Sequence, residues 1–189
     1  MTLHRAWAVS WIRFASGHGL AVRTLGDELR ALTVTLLLRS PDGVVSAWSD
    51  AGEDRGHLES LVPARRLGAG PVHLSWNGGR LVTVRAPNAR LAWTLRLRSS
   101  RLTRLLNRRL PAADRETYLQ RPDLAAVRSV ADAALGSVGS TARSLHLVGE
   151  SRAVLDGIEL GAARPAPGVR RALGSRVSGV LVTGLVESA

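Results

Sequence analysis

Cysteine is absent from this 189-residue chain. That excludes disulfides, thiolate nucleophiles and thiolate-bound metals. Lysine is absent too, so all 26 basic residues are arginine. No Schiff-base lysine, lysine general base or phosphate-loop lysine can operate. Phe, Tyr and Met occur once each, Ile twice and Asn three times. These residues share AT-rich codons, and a GC-rich bacterial genome explains their scarcity. Long apolar runs are also missing, so no transmembrane helix is expected. The stretch from Val177 to Val186 is broken by Gly179 and Gly184 and is of strand length. The opening Met1-Thr2-Leu3-His4-Arg5 lacks the apolar segment of a signal peptide, and a cytoplasmic location is expected.

Acidic residues are missing from one region in particular. Between Ser60 and Ala113 there is no Asp or Glu, but there are eleven arginines. The rest of the chain balances fifteen arginines against fifteen acids, so this stretch carries the whole net charge of +11. An uncompensated basic segment attracts nucleic acid, anionic lipid or an acidic protein, or else serves as a solvated face.

What is present is apolar enough, at 45%, to build a core for a single domain. Trp7 to Phe14 reads as a strand with Trp7, Val9 and Trp11 on one side. Ser16-Gly17-His18-Gly19 is a turn, Leu20 to Thr24 a short strand, and Leu29 to Arg39 a longer one. Ser40-Pro41-Asp42-Gly43 turns the chain into a strand from Val44 to Trp48. Further on, Val72, Leu74 and Trp76 alternate with polar residues up to Asn77-Gly78-Gly79, a tight hairpin turn. Val82, Val84 and Ala86 repeat the pattern. Leu91, Trp93, Leu95 and Leu97 then alternate with Ala92, Thr94, Arg96 and Arg98. The expected meander has one apolar face and one arginine-bearing wet face.

The period changes after Arg98. Ser99 or Ser100 caps a helix with a stripe of Leu102, Leu105, Leu106 and Leu110, opposite Arg101, Arg104 and Arg108. Pro111 stops it. A second helix opens at Pro122-Asp123, buries Leu124, Val127, Val130, Ala131 and Ala134, and ends at Gly136. Strands resume at Leu145 and Leu147, then at Ala153 to Leu155, with a hairpin turn at Asp156-Gly157. Ala163 to Gly168 reads as a linker, and Val177 to Val186 as the last strand. The fold class is therefore mainly β (α+β): an antiparallel meander or barrel with a two-helix insertion at about 99–135. The meander covers 1–98 and the C-terminal strands 141–189, within one domain of 1–189.

Gly149-Glu150-Ser151-Arg152-Ala153 follows an apolar run, like a nucleophile elbow. All five histidines (His4, His18, His57, His73, His146) precede Ser151, whereas that arrangement needs its base after the serine. The motif is read as a polar loop between two strands. Asp50, Glu53, Asp54, His57 and Glu59 could gather for acid–base work or a divalent ion, but Gly52 and Gly56 argue against the helix that would align them. Dinucleotide and nucleotide-phosphate fingerprints are missing. No catalytic residue, metal site or cofactor is assigned, and the reading leans away from an enzyme.

Leu74-Ser75-Trp76, Leu91-Ala92-Trp93-Thr94-Leu95, Thr103-Arg104-Leu105-Leu106-Asn107 and Ser151-Arg152-Ala153-Val154-Leu155-Asp156-Gly157 look like segments of uncharacterised actinobacterial β-rich proteins. Their style is loosely similar to lipocalin-like barrels, and the likeness covers about half the chain. The resemblance implies a barrel with an apolar interior and transfers no catalytic motif.

Three functions follow from these readings. The first is a binding module that holds an apolar or amphipathic small molecule, with Trp76, Trp93, Leu95 and Val84 as pocket residues. The second is an interaction protein that meets an anionic partner, nucleic acid or anionic lipid, through Arg96, Arg98, Arg101, Arg104 and Arg108. The third is an enzyme with a carboxylate and histidine site around Asp50 to Glu59.

Overall fold

The computed structural model describes residues 2–26, 33–49, 66–110, 114–135, 140–173 and 177–188. Alternation of apolar and polar residues dominates these segments, and the strands they form join in one eleven-stranded sheet. The strands are β1 (Thr2–Arg13), β2 (Gly19–Gly26), β3 (Thr33–Arg39), β4 (Val45–Ser49), β5 (Arg66–Ala69), β6 (His73–Asn77), β7 (Leu81–Ala86), β8 (Leu91–Arg98), β9 (Thr141–Leu155), β10 (Ile158–Glu159) and β11 (Gly179–Ser188). Their spatial order is β5-β4-β3-β2-β1-β11-β9-β8-β7-β6, with β10 beside β9. Every pairing is antiparallel except β4 with β5.

The sheet curls into a half-barrel. Trp76 of the terminal strand β6 reaches Trp7 of the central strand β1 in an edge-to-face contact, 5.8 Å between ring centres. Five places in the strand order separate those two strands, so only a strongly curved sheet brings them together. The concave side is the main core. Val9, Ile12, Leu20, Val22, Leu36, Val82, Val84, Trp93, Leu95, Val148 and Leu181 are all buried there with no exposed surface. Leu160 and Phe14 join the same core, and Ala15 N–H donates to Ala162 O at 2.9 Å, tying the 160–163 segment to the end of β1.

Four short helices accompany the sheet: α1 (Arg101–Arg109), α2 (Arg115–Gln120), α3 (Ala125–Leu135) and α4 (Pro167–Leu173). A second core lies between them and the convex side of β1, β9 and β11. It joins Tyr118, Leu124, Val127, Ala131, Val169 and Leu173 to Ala6, Ala8, Leu145, Leu147, Val180 and Val182. These central strands are thus buried on both faces. Arg23 Nε donates to Ala134 O at 3.0 Å in the last turn of α3, where a cation is favoured by the helix dipole. Burial lowers the Arg23 pKa from its ordinary value, and the guanidinium remains charged. Among the described residues, no helix is long and apolar enough to cross a membrane.

Several local expectations change. The pairing of β1 with β2 shifts register between Val9 and Ile12. The extra residue turns Trp11 to the convex side, against Ala21, Leu37 and Ala47, while Ile12 and Phe14 point inward. Gly149-Glu150-Ser151 is not a loop. One strand of 15 residues, β9, runs straight through it, and the pairing with β8 shifts register between Arg96 and Leu97. The shift reverses face parity, so Ser151 and Ala153 face the interior on one side of it, as Val148 does on the other. Helices α2 and α4 had no expected counterpart, and α4 begins in the last two residues of the stretch read as a linker and continues beyond it. Asp114 supplies the cap of α2: its Oδ1 accepts from Thr117 N–H at 2.8 Å. The stop at Pro111 and the end at Gly136 lie outside the described residues.

Candidate anion-binding face

The convex side of β6, β7 and β8 carries residues that alternate with the core. Val82, Val84, Leu91, Trp93, Leu95 and Leu97 are buried, and Arg85, Arg96 and Arg98 between them are exposed. Register sets the rows across the strands. His73 pairs with Arg85, and Arg85 with Ala92. Ser75, Thr83, Thr94 and Arg152 form the next row, and Asn77, Leu81, Arg96 and Glu150 the one after. The helices pack on β1, β9 and β11, which leaves this polar surface open to solvent.

Two acids lie in these rows: Glu159, at the end of the Arg85 row beyond Ala92 and Val154, and Glu150 beside Arg96. Glu150 is the one that meets the arginines of β8. Its carboxylate lies 3.1 Å from Arg98 and 3.8 Å from Arg96, and both arginine side chains stay more than 60% exposed. Ion pairs this wet contribute little, so the two guanidinium groups remain available to an external anion. Gly149 permits the arrangement, because a Cβ there would run into the Arg98 side chain that crosses over it. Arg85 and Arg152 have no ion-pair partner among the described residues.

Strand β8 runs through Ser99 and Ser100 into α1, which extends the basic surface. Ser100 caps the helix: its hydroxyl accepts from Thr103 N–H at 3.1 Å, and Thr103 Oγ1 accepts from Ser100 N–H at 2.8 Å. Asn107 pins the helix to the β9 backbone. Its Nδ2 donates to Leu145 O at 3.0 Å, and its Oδ1 accepts from Leu145 N–H at 2.8 Å. Thr103, Leu106, Asn107 and Leu110 therefore face the protein. Arg101, Arg104, Arg108 and Arg109 face water. Leu102 and Leu105, expected in the buried stripe, are 42% and 46% exposed. The hydrogen-bonding Asn107 fixes a roll of the helix that a purely apolar stripe would not select.

A groove of about 680 Å³ opens on the β8–β9 part of this face, lined by Thr94, Glu150, Arg152, Glu159 and Ser178 among others. It holds two carboxylates for one guanidinium, so the excess positive charge lies outside it, toward β6–β8 and α1.

The expected pocket residues divide. Val84, Trp93 and Leu95 are fully buried members of the main core. Trp93 Nε1 donates to the buried Ser151 Oγ at 2.8 Å. Trp76 is 45% exposed at the rim, against Trp7. The group Asp50, Glu53, Asp54, His57 and Glu59 lies outside the described residues. No family model, curated protein or solved structure matches this chain.

Sequence reasoning located Arg96, Arg98, Arg101, Arg104 and Arg108, and the structure puts all five on exposed positions of β8 and α1. It missed Arg152, because the segment around Gly149 was read as a loop. The strict alternation of Ser151, Arg152 and Ala153 carried the signal.

Proposed function

We propose that this chain is an interaction protein that binds a polyanionic partner on the arginine face formed by β6–β8 and α1. The observation that carries the reading is the placement of Arg85, Arg96, Arg98, Arg101, Arg104 and Arg108 on exposed positions, with Glu150 and Glu159 the acids in their strand rows. A rigid sheet and a capped, pinned helix hold these groups at fixed spacing, which lowers the ordering cost of binding. Guanidinium groups suit this role because they bind phosphate bidentately and stay charged at any physiological pH.

Association with a DNA duplex and with phosphatidylglycerol vesicles, followed across a salt series, tests the proposal. Binding should weaken steeply as salt rises. Reversing Arg96, Arg98, Arg101 and Arg104 to Glu should abolish it. Binding that ignores both salt and these reversals would remove the reading.

A second reading draws on the Trp7–Trp76 pair. An exposed indole at the rim of a half-barrel suits an apolar or amphipathic small molecule. Native mass spectrometry of gently purified protein tests it. A retained apolar mass that Trp76→Ala releases supports this reading, and a bare protein mass counts against it.

A further inference from the structure

We propose that the polyanion is an anionic lipid bilayer, and that α1 lies on it with Leu102 and Leu105 inserted among the headgroups. This rests on the arginine-face reading above and goes further by choosing the partner. Four large hydrophobic side chains are exposed among the described residues: Trp76, Leu102, Leu105 and Ile158. Two of them stand three residues apart on the outward side of one nine-residue helix, so they are neighbours on its surface.

Arginines surround the pair. Leu105 has Arg101 and Arg109 four residues away on either side and Arg108 three residues on. Arg104 adjoins it along the chain, and Arg98 at the end of β8 continues the charge toward the sheet. Within α1 there is no acidic residue. The Asp123 carboxyl is held below its ordinary value chiefly by Arg121, and Arg109 lies near enough to help. The exposure of the leucines does not come from a loose helix. The capping box at Ser100, the two hydrogen bonds of Asn107 and the buried Leu110 fix the opposite side.

Charge complementarity selects a phosphate-bearing surface, and the leucines select among such surfaces. A nucleic acid takes up aliphatic side chains only within a groove or by wedging them between bases, which must unstack at a cost in free energy. A bilayer interface offers phosphates at one depth and acyl chain immediately below, which is what a basic helix with protruding apolar residues fits. A helix of this length spans about 13 Å, enough for interfacial contact and too short for insertion across the membrane.

Flotation with vesicles of phosphatidylglycerol and phosphatidylcholine, beside pure phosphatidylcholine vesicles and a DNA duplex, provides the test. The full chain should float with the anionic vesicles and stay behind with the neutral ones. Leu102→Ser with Leu105→Ser should weaken vesicle binding by about tenfold or more, since two apolar side chains lose their burial. The same variant should bind DNA as the unaltered chain does, and its circular dichroism should be unchanged because both positions are exposed. Vesicle binding unaffected by the serine pair would overturn the inference. So would DNA binding without vesicle binding, which leaves the arginine face intact as a nucleic-acid surface. Loss of self-association in the serine variant, with vesicle binding unchanged, would assign the leucines to a second copy and also overturn it. Binding to neither probe would take down the arginine-face reading as well.

Discussion

Trp93 is the largest fully buried side chain, and its polar edge is paired. The indole N–H reaches Ser151, whose own burial depends on the parity switch in β9. Replacing Ser151 by Ala leaves a buried donor unpaired and should cost about 1–3 kcal/mol. Trp93→Ala should cost about 3–5 kcal/mol, because a cavity is added to the lost burial. Urea unfolding of both variants distinguishes these magnitudes. His146 is half-buried on β9, and burial lowers its pKa from the ordinary 6.5. Its folded pKa lies below its unfolded one, so the unfolded chain takes up the proton first as pH falls. The neutral ring's contribution is complete above 6.5 and declines as pH drops through that value toward the folded pKa. Thermal unfolding from neutral to mildly acidic pH should show this decline, and His146→Gln should flatten it in that window.

At the scale of single elements, β8 was the most legible from sequence. Its alternation is unbroken over eight residues, and burial follows it residue by residue. The same rule misread β9. A two-residue period assumes a constant register, and the bulge near Gly149 moves the inward-facing positions from even numbers (Val148) to odd ones (Ser151, Ala153). A reader who sees only the sequence meets two short strands with a polar gap. Helix α1 was placed correctly at its N-terminus, because Ser100 and Thr103 form a local capping signal. Its roll was not legible, since the polar Asn107 that sets it bonds to a strand 38 residues away. Asn107→Ala should cost about 1–3 kcal/mol by exposing or orphaning the two Leu145 backbone groups. Hydrogen exchange at the Leu145 amide should rise with it. Gly184 is a further pressure point. A Cβ there would stand 2.5 Å from Thr141 O and 3.2 Å from Leu135 Cδ1, so Gly184→Val should destabilise the chain by forcing backbone apart between β11 and β9.

For the whole molecule, the division of labour follows from which faces are covered. Central strands β1, β9 and β11 are sandwiched between the concave core and the helices, so their sequences are apolar on both sides. Strands β6–β8 have only the concave core to meet, and their other side is free to hold charge. Within the acid-free stretch, described residues 72–98 therefore lie on the side of the sheet that none of the described helices covers. The charge asymmetry was visible in the sequence, but its gathering on one convex surface depends on the curl of the sheet. The reading of Val84, Trp93 and Leu95 as a pocket came from the same alternation, which marks inward-facing residues whether they line a space or fill one.

The most direct measurement is the affinity for phosphatidylglycerol-containing vesicles as a function of salt, for the unaltered chain and for the variant with Arg96, Arg98, Arg101 and Arg104 changed to Glu. The account predicts binding that falls steeply with salt in the first and is lost in the second, with both proteins unfolding at similar urea concentrations because these side chains are exposed. Equal binding by two well-folded proteins would contradict it.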